Sequence, residues 1–475
     1  MNDQVLIRSV LIKNAAHLMT GATGEASRHD ARTGTDIRVR GGVIQAIGRL
    51  APEPGERVID ASGCVVYPGW VNTHHHLFQS LLKGIPAGIG VGLTPWLAAV
   101  PVPYRQFFNT EHAMRIATRI GLVELLLSGC TTVADHQYHY YPNMPFDVSA
   151  VVFDEAEKLG LRFVLCRGGQ TISRAFDKPA PPESAPETLD AIMASIERDV
   201  GRFHDPAPMA MRRVVSAITT PNWSCQPHEL LALARQARSL GIRLHSHLNE
   251  TYDYVNYFRE VHGCSAMQFA EKYEWVGADV WFAHMVHLSD EDIQMCAATG
   301  TGVAHCPQSN ARLGSGIARV PYMLKAGAPV SLAVDGAASN EAADMLSEAH
   351  ACWLLHRAKP GEFGGDASAM SAEQVIHLGT AAGARMLGLD GVGSLAVGMA
   401  ADLVVYDLDQ PRHFGLHDSA IAPVVSGGQA SLRAVLVAGR VVVENNQIPG
   451  LDMAELRTQA QALVNDMVLT MATAA

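Results

Sequence analysis

The chain has 475 residues, 48% of them hydrophobic and 17% charged, with a formal net charge of −11. That length suits one large barrel with a smaller satellite domain, and the composition excludes a disordered or fibrous protein. The negative charge, without any run of Lys or Arg, argues against nucleic acid or an anionic membrane as a partner.

Cysteine spacing and hydropathy indicate the compartment. The eight cysteines form no CxxC pair, which disfavours both a zinc ribbon and a disulfide framework. No apolar run approaches the roughly 18 residues that span a bilayer. Polar and charged residues interrupt the apolar positions of the N-terminal MNDQVLIRSVLIKN, unlike those of a secretory signal. We expect a cytoplasmic protein.

The two ends of the chain have the same character. Residues 5–67 contain short β-rich runs separated by glycine turns, and residues 401–447 repeat this pattern. Both termini are therefore predicted to form one small β-sandwich domain, composed of residues 1–68 and 398–475.

Between the termini, short β-rich runs alternate with longer helical stretches such as EHAMRIATRIGLVELLLSG. The eight candidate strands are residues 69–76, 131–136, 161–168, 212–220, 243–250, 280–287, 302–310 and 329–337. This alternation predicts an α/β fold, a distorted (β/α)8 TIM-type barrel over residues 69–397. Two Pro/Gly-rich stretches, 83–96 and 177–187, follow strands and are candidate lids over the barrel face where active sites form.

Ionisable residues cluster at the predicted strand ends. In the run HHH of the first strand, His74 and His76 share one face, and His75 points to the other. The remaining strand-end residues are His245, His247, Glu250, His284, His287, His305 and Asp335. Buried charge is costly unless it is paired or bound to metal, so a converging set of His and Asp residues predicts a metal site.

This pattern of His-x-His, His-x-x-Glu, His and Asp on strands one, five, six and eight resembles the amidohydrolase superfamily. It resembles more narrowly the aminohydrolase (deaminase) branch, and the similarity includes the tail TAAGARMLGLDGVGSLAVGMAADLVVYDLD. The resemblance implies a single divalent ion, zinc first and iron as the alternative. Its implied ligands are His74, His76, His247 and Asp335. Strand four has no Lys near its end, which disfavours the two-metal variant of the family.

The resemblance also implies catalytic roles for Glu250, His284 and Asp335. Three imidazoles and one carboxylate leave an open position for water, whose pKa a bound ion lowers towards about 7. Asp335 would accept the proton of that water, and His284 would orient it. Glu250 would protonate a ring nitrogen of the substrate, after which the amino group leaves as ammonia.

The stretches HHHLFQSLLKG, TPWL, TVADHQYHYYP and LCRGGQT resemble a subgroup that acts on oxidised bicyclic heterocycles. The implied reaction removes an exocyclic amino group from an oxidised pteridine or purine, with isoxanthopterin ranked ahead of 8-oxoguanine, pterin and triazines. The candidate substrate contacts are Gln79, Trp96, Tyr140 and Arg167. Each has a structural alternative, such as a salt bridge on the barrel rim for Arg167 or a lid anchor for Trp96.

Two other classes of function stay open at this point. One is a cyclic amidohydrolase that opens a ring without releasing ammonia, and the other is a metal-binding scaffold without catalysis. The presence of both Glu250 and Asp335 disfavours the scaffold. The predicted partner is a small aromatic heterocycle, and the sequence leaves a homo-oligomer open.

Overall fold

The structure is a computed structural model that describes residues 9–30, 32–173, 182–358 and 365–474. Residues 1–8 of the predicted β domain and 177–181 of the second predicted lid lie outside the described residues. Among the described helices, none combines the length and apolar character needed to cross a membrane.

The strands are, in chain order, β1 (Ser9–Lys13), β2 (His17–Met19), β3 (Arg28–His29), β4 (Asp36–Arg40), β5 (Val43–Gly48), β6 (Arg57–Asp60), β7 (Cys64–Pro68), β8 (Trp70–His75), β9 (Cys130–Gln137), β10 (Arg162–Arg167), β11 (Arg212–Ala217), β12 (Leu244–Leu248), β13 (Val280–His284), β14 (Gly302–His305), β15 (Val330–Leu332), β16 (Leu403–Asp407), β17 (Leu432–Val437) and β18 (Arg440–Glu444).

The α-helices are α1 (Leu93–Ala99), α2 (Pro101–Tyr104), α3 (Glu111–Leu127), α4 (Val148–Leu159), α5 (Leu189–Phe203), α6 (Pro227–Ser239), α7 (Tyr252–Tyr257), α8 (Ala266–Lys272), α9 (Asp290–Thr299), α10 (Pro307–Arg312), α11 (Val320–Ala326), α12 (Ala337–Asn340), α13 (Met345–Ala358), α14 (Ala372–His377), α15 (Gly383–Met386), α16 (Ala422–Ser426) and α17 (Met453–Ala474).

Strands β8 to β15 form one parallel sheet in sequence order, with helices between most of them. The ends of the sheet meet where Thr73 Oγ1 contacts Ser331 Oγ at 2.7 Å and donates to the carbonyl of Leu332 at 3.1 Å. The predicted α/β barrel is therefore confirmed. The predicted strand 302–310 is wrong beyond His305, because Pro307 begins a helix, a position that its fixed φ favours.

Strands from both termini form two further sheets, with orders β5-β4-β1-β6 and β18-β17-β16-β7-β2-β3. The antiparallel pairing of β7 with β16 joins the two ends of the chain. Buried aliphatic side chains, among them Ile12, Ile37 and Leu436, fill the core that these strands share. The proposed domain limits at residues 68 and 398 stay a prediction. The C-terminal helix α17 packs against α3 of the barrel.

Candidate active site

The carboxyl ends of the barrel strands bring four of the predicted residues together. His74 lies near the end of β8 and His76 directly follows it, His247 lies on β12, and Asp335 follows β15. The Nε2 atoms of His76 and His247 are 3.2 Å apart, and Asp335 Oδ1 lies 3.4 Å from the Nε2 atoms of both His74 and His76. All four side chains are buried.

Backbone carbonyls fix the orientation of two of these imidazoles. His76 Nδ1 donates to the carbonyl of His136 at 2.8 Å, and His247 Nδ1 donates to that of Thr219 at 2.7 Å. Since a neutral imidazole carries one proton, each Nε2 then carries a lone pair. Two such lone pairs face each other across 3.2 Å, an arrangement that a cation between them would stabilise.

His74 is oriented by a second histidine. His245 Nδ1 donates to the carbonyl of Trp281 at 3.0 Å, so its Nε2 accepts a proton from His74 Nδ1 at 2.8 Å. This chain leaves His74 Nε2 with a lone pair that has no hydrogen-bond partner among the described residues. The imidazole of His245 also stacks on the indole of Trp281, with ring centroids 4.5 Å apart.

Burial sets the charge of the cluster. Desolvation lowers the pKa values of His74, His76 and His247, so these rings are neutral at pH 7, the form that binds metal. Burial alone would raise the pKa of Asp335, but the hydrogen bonds that its carboxylate accepts favour the anion, and that pKa lies well below its usual value. The result is an anionic carboxylate among three neutral nitrogen donors.

Asp335 is held in place from three sides. The hydroxyls of Ser309 and Ser339 donate to Oδ2 at 2.6 and 3.0 Å, and the amide of Gly336 donates to Oδ1 at 2.6 Å. Asp335 has a φ of 65°, and His284 one of 73°, both in the left-handed region that non-glycine residues rarely adopt. Such strain, on the order of 1–3 kcal/mol per residue, is concentrated at functional sites.

Glu250 and His284 lie beside this cluster. His284 Nε2 is 3.7 Å from Glu250 Oε2 and 4.0 Å from Asp335 Oδ2. His284 Nδ1 is 2.9 Å from Asn310 Oδ1, which orients the ring, and Ser315 Oγ lies 3.5 Å from Glu250 Oε1. The structure therefore brings all six predicted metal-binding and catalytic residues to one place.

A cavity opens above this group of six residues. Its described lining consists of His76, Gln79, Leu93, Trp96, Leu97, Val102, Tyr138, Gln170, Thr219, Thr220, Trp223, Ser224, His247, Glu250, Tyr254, His284, Leu313 and Asp335. One end of the cavity carries the ionisable residues, and aromatic and aliphatic side chains form the walls. Such a shape is suited to a flat polar ring.

Comparison with known proteins identifies the family. The amidohydrolase family model matches residues 65–442. The chain belongs to the amidohydrolase family. Isoxanthopterin deaminase from an unknown prokaryotic organism is 55% identical over 470 residues, covering 97% of each chain. The 8-oxoguanine deaminase of Pseudomonas aeruginosa is 34% identical over 447 residues, covering 92% of this chain and 97% of the relative.

Two solved structures extend the comparison. The crystal structure of an amidohydrolase from a Sargasso Sea environmental sample shares 51% identity and a TM-score of 0.85, covering 98% of this chain and 100% of that one. The zinc complex of atrazine chlorohydrolase from Arthrobacter aurescens TC1 shares 28% identity and a TM-score of 0.87, covering 96% and 100%. The family and barrel that the sequence predicts are confirmed.

Gln79 and Trp96 of this amidohydrolase both line the cavity. Gln79 Nε2 donates to Tyr138 Oη at 2.9 Å, whereas its Oε1 has no hydrogen-bond partner in the described part of the chain. A Cβ on Gly336 would come within 2.0 Å of that Oε1, so glycine is needed to make room for the amide. Trp96 also fixes the stretch 83–96, which stays a predicted lid, because its Nε1 donates to the carbonyl of Ala338 at 3.2 Å.

Arg167 and Tyr140 are absent from the described lining of the cavity. The guanidinium of Arg167 pairs with both oxygens of Glu187, at 2.7 and 2.8 Å, and its Cζ lies 3.8 Å from the ring centroid of Tyr140. Tyr140 Oη contacts Ser149 Oγ at 3.0 Å. Their role in substrate binding stays a prediction, and this geometry favours the salt bridge as the structural alternative.

The other histidines of the sequence analysis have separate positions. His75 accepts a hydrogen bond from the backbone amide of His76 at its Nδ1, and its Nε2 faces the neighbourhood of Gly121 on α3. His287 Nε2 donates to the carbonyl of Ser315 at 2.8 Å. His305 contacts His356 behind the barrel wall.

The sequence analysis missed Tyr138, Trp223 and Tyr254, which supply three walls of the cavity. The rings of Trp223 and Tyr254 meet edge to face with centroids 4.7 Å apart, and Arg105 lies over the ring of Tyr138 at 4.7 Å. It also missed Ser309 and Asn310, although both stand at the end of the predicted strand 302–310. The sequence feature that indicates their position is Pro307, because it marks the start of a helix that would turn these polar residues toward the site.

Proposed function

We propose that the chain is a metal-dependent hydrolytic deaminase that converts isoxanthopterin and water to 7-oxylumazine and ammonia. The observation that carries this proposal is the 55% identity to isoxanthopterin deaminase over 97% of both chains. The buried His/Asp cluster beneath an aromatic-walled cavity supports the same reaction. We also propose that the enzyme acts in the cytoplasm, since all eight cysteines are unpaired thiols, as is usual in reducing compartments.

The residues present fit a single divalent ion, with zinc as the proposed metal because a 28% identical neighbour was crystallised with zinc. His74, His76, His247 and Asp335 would hold it. The Nε2 atoms of the three histidines carry lone pairs directed at one another and at the carboxylate, as their hydrogen bonds require. A bound ion of this kind supplies a water whose pKa is lowered from 15.7 to about 7.

The protein's own groups then move the protons. Asp335 accepts the proton of the attacking water, and His284, which donates from Nδ1 to Asn310, orients that water with its Nε2. Glu250 protonates the ring nitrogen beside the amino-bearing carbon, which makes that carbon electrophilic. The water oxygen bonds to that carbon, and the proton held by Asp335 passes to the amino group. The carbon–nitrogen bond then breaks and ammonia leaves, while the hydroxyl proton at that carbon returns to Glu250 as the product carbonyl forms.

Substrate binding is assigned to the cavity walls. The buried Oε1 of Gln79 accepts a hydrogen bond from a ring N–H of the substrate, since its Nε2 is already used by Tyr138. Trp96 and Trp223 border the flat faces of the heterocycle. A site built to pair with a ring N–H discriminates strongly against an analogue that lacks it, because the amide oxygen is then left buried without a donor.

The test is ammonia release by the zinc-loaded protein from isoxanthopterin, with 8-oxoguanine and pterin as parallel substrates. We expect kcat/KM for isoxanthopterin to exceed the others. Turnover of 8-oxoguanine and not of isoxanthopterin would support the same mechanism but change the assigned substrate, in line with the 34% identical relative. Ring opening without ammonia would refute the deaminase and establish a cyclic amidohydrolase.

A further inference from the structure

A second cluster of ligand-type side chains lies outside the catalytic cavity. His305 at the end of β14 meets Cys352 and His356, which lie four residues apart on one face of α13. Their donor atoms all lie within 4.8 Å of one another, and the exposed fractions of the three residues are 1%, 0% and 2%. None of the three belongs to the described lining of the cavity.

One ring nitrogen of this cluster has no hydrogen-bond partner among the described residues. The Nε2 atoms of His305 and His356 are 2.9 Å apart, so one of them carries the proton. If His356 carries that proton, His305 Nδ1 is a donor, and if His305 Nε2 carries it, Nδ1 holds a lone pair. In both cases His305 Nδ1 is buried without a hydrogen-bond partner among the described residues. Buried polar atoms of folded proteins nearly always have a partner, and those without one indicate an absent ion or water.

The protonation states suit a cation. Burial lowers the pKa of His356 to about 4 and also lowers that of His305, so both rings are neutral at pH 7. Burial and the neighbouring Glu348 raise the pKa of Cys352, which therefore holds its proton until a metal displaces it.

Glu348 is a buried neighbour of this cluster on the same helix. It lies one turn before Cys352 on α13, is fully buried, and accepts hydrogen bonds from Gln308 N at 2.8 Å and Gln308 Nε2 at 2.5 Å. Burial raises the pKa of Glu348 as well. Both of its carboxylate oxygens bind Gln308, so the ligands that the described residues supply are His305, Cys352 and His356.

We propose that His305, Cys352 and His356 form a second, structural metal site for a thiophilic divalent ion of the zinc class. Thiolate and imidazole ligands together select zinc over magnesium or calcium. The ion would tie α13 to the end of β14, immediately before the helix α10 that carries Ser309, a hydrogen-bond donor to Asp335. The site is therefore structural, and it acts on catalysis only by positioning.

Cobalt substitution tests the proposal without relying on activity. The protein is stripped of metal, loaded with Co²⁺ and assayed for metal content and near-ultraviolet absorption. We expect two cobalt ions per chain and a sulfur-to-cobalt charge-transfer band. That band reports the second site alone, because the proposed ligands of the first site are imidazoles and a carboxylate. Cys352→Ser should bind one cobalt and lose the band, whereas His76→Ala should bind one and keep it.

Cys296→Ser is the matched control, since Cys296 is an equally buried thiol on α9, and it should keep both ions and the band. One cobalt per chain in the unmodified protein, without a thiolate band, would overturn the proposal and leave a hydrogen-bonded histidine pair. Loss of the band in Cys296→Ser but not in Cys352→Ser would overturn it too. Should Cys352→Ser fail to fold, the stoichiometry and spectrum of the unmodified protein decide the question by themselves.

Discussion

His245 is absent from the described lining of the cavity, yet the structure predicts that it controls metal affinity. We consider His245→Phe, in which an aromatic ring of similar size can keep the stack on Trp281, where the centroids are 4.5 Å apart and the planes 19° from parallel. The change removes both hydrogen bonds of His245, one from His74 Nδ1 at 2.8 Å and one to the carbonyl of Trp281 at 3.0 Å.

The expected loss of metal affinity and of stability follows from the groups that lose a hydrogen-bond partner. His74 loses the acceptor that fixes its tautomer, so part of its population would carry the proton on Nε2, the proposed metal-binding atom. Loss of such an outer partner costs about 10- to 100-fold in metal affinity, or about 1.4–2.7 kcal/mol. The orphaned His74 N–H and Trp281 carbonyl each cost a further 1–3 kcal/mol or so of folding free energy.

The assay is zinc affinity by competition with a chelator, accompanied by urea unfolding of the metal-free protein. We expect a dissociation constant raised about 10- to 100-fold and, at saturating zinc, a kcat within about tenfold of the parent. His75→Asn is the control, because His75 is equally buried but faces α3, and it should lower stability only. An unchanged zinc affinity in His245→Phe, with lowered stability, would show that His245 serves packing alone.

Three further predictions concern the site and its surroundings. His76→Ala should lose the bound metal, whereas His75→Ala should keep metal and most activity; the reverse metal contents would show that the ligand assignment is wrong. Glu250→Gln should lower kcat at least about 100-fold with metal content unchanged, and loss of metal would instead make Glu250 a ligand. Burial and the charge of Arg105 lower the pKa of His139 from 6.5 to about 3. Between pH 7 and 4.5 the unfolded chain therefore takes up a proton that the folded one does not, and stability falls as the pH falls. The free energy of unfolding of His139→Gln should fall by about 2.5 kcal/mol less than that of the parent over this range in urea unfolding, and equal losses would contradict the assignment.

Much of the barrel and its ionisable centre could be predicted from the sequence, because both follow local rules. Side-chain alternation along a strand separates His74 and His76 from His75, and the carboxyl ends of parallel strands bring His247 and Asp335 to the same rim. These inferences need the order of the elements and no knowledge of loop conformation.

The cavity walls could not be predicted in the same way. Arg167 stays a predicted substrate contact, but the sequence does not show that Glu187, from the segment leading into α5, meets its guanidinium in a two-pronged salt bridge. Trp223 lies in the loop after β11 and Tyr254 on the short helix α7 after β12, and their rings meet edge to face. Such contacts depend on how loops fold back over the barrel, which the hydrophobic period of the strands does not determine.

The junction of β7 with β8 has a consequence for synthesis of the chain. Only Gly69 separates the two strands, so the strand that bears His74 continues directly from the terminal sheet. One neighbour of β7 is β2, which is made before it, but the other is β16, which is made only after the whole barrel. Until then β7 presents an unpaired edge, the kind of surface on which nascent chains aggregate. A product that stops before residue 403 is therefore expected to be an aggregation-prone fragment, because it lacks the strand that pairs with this edge.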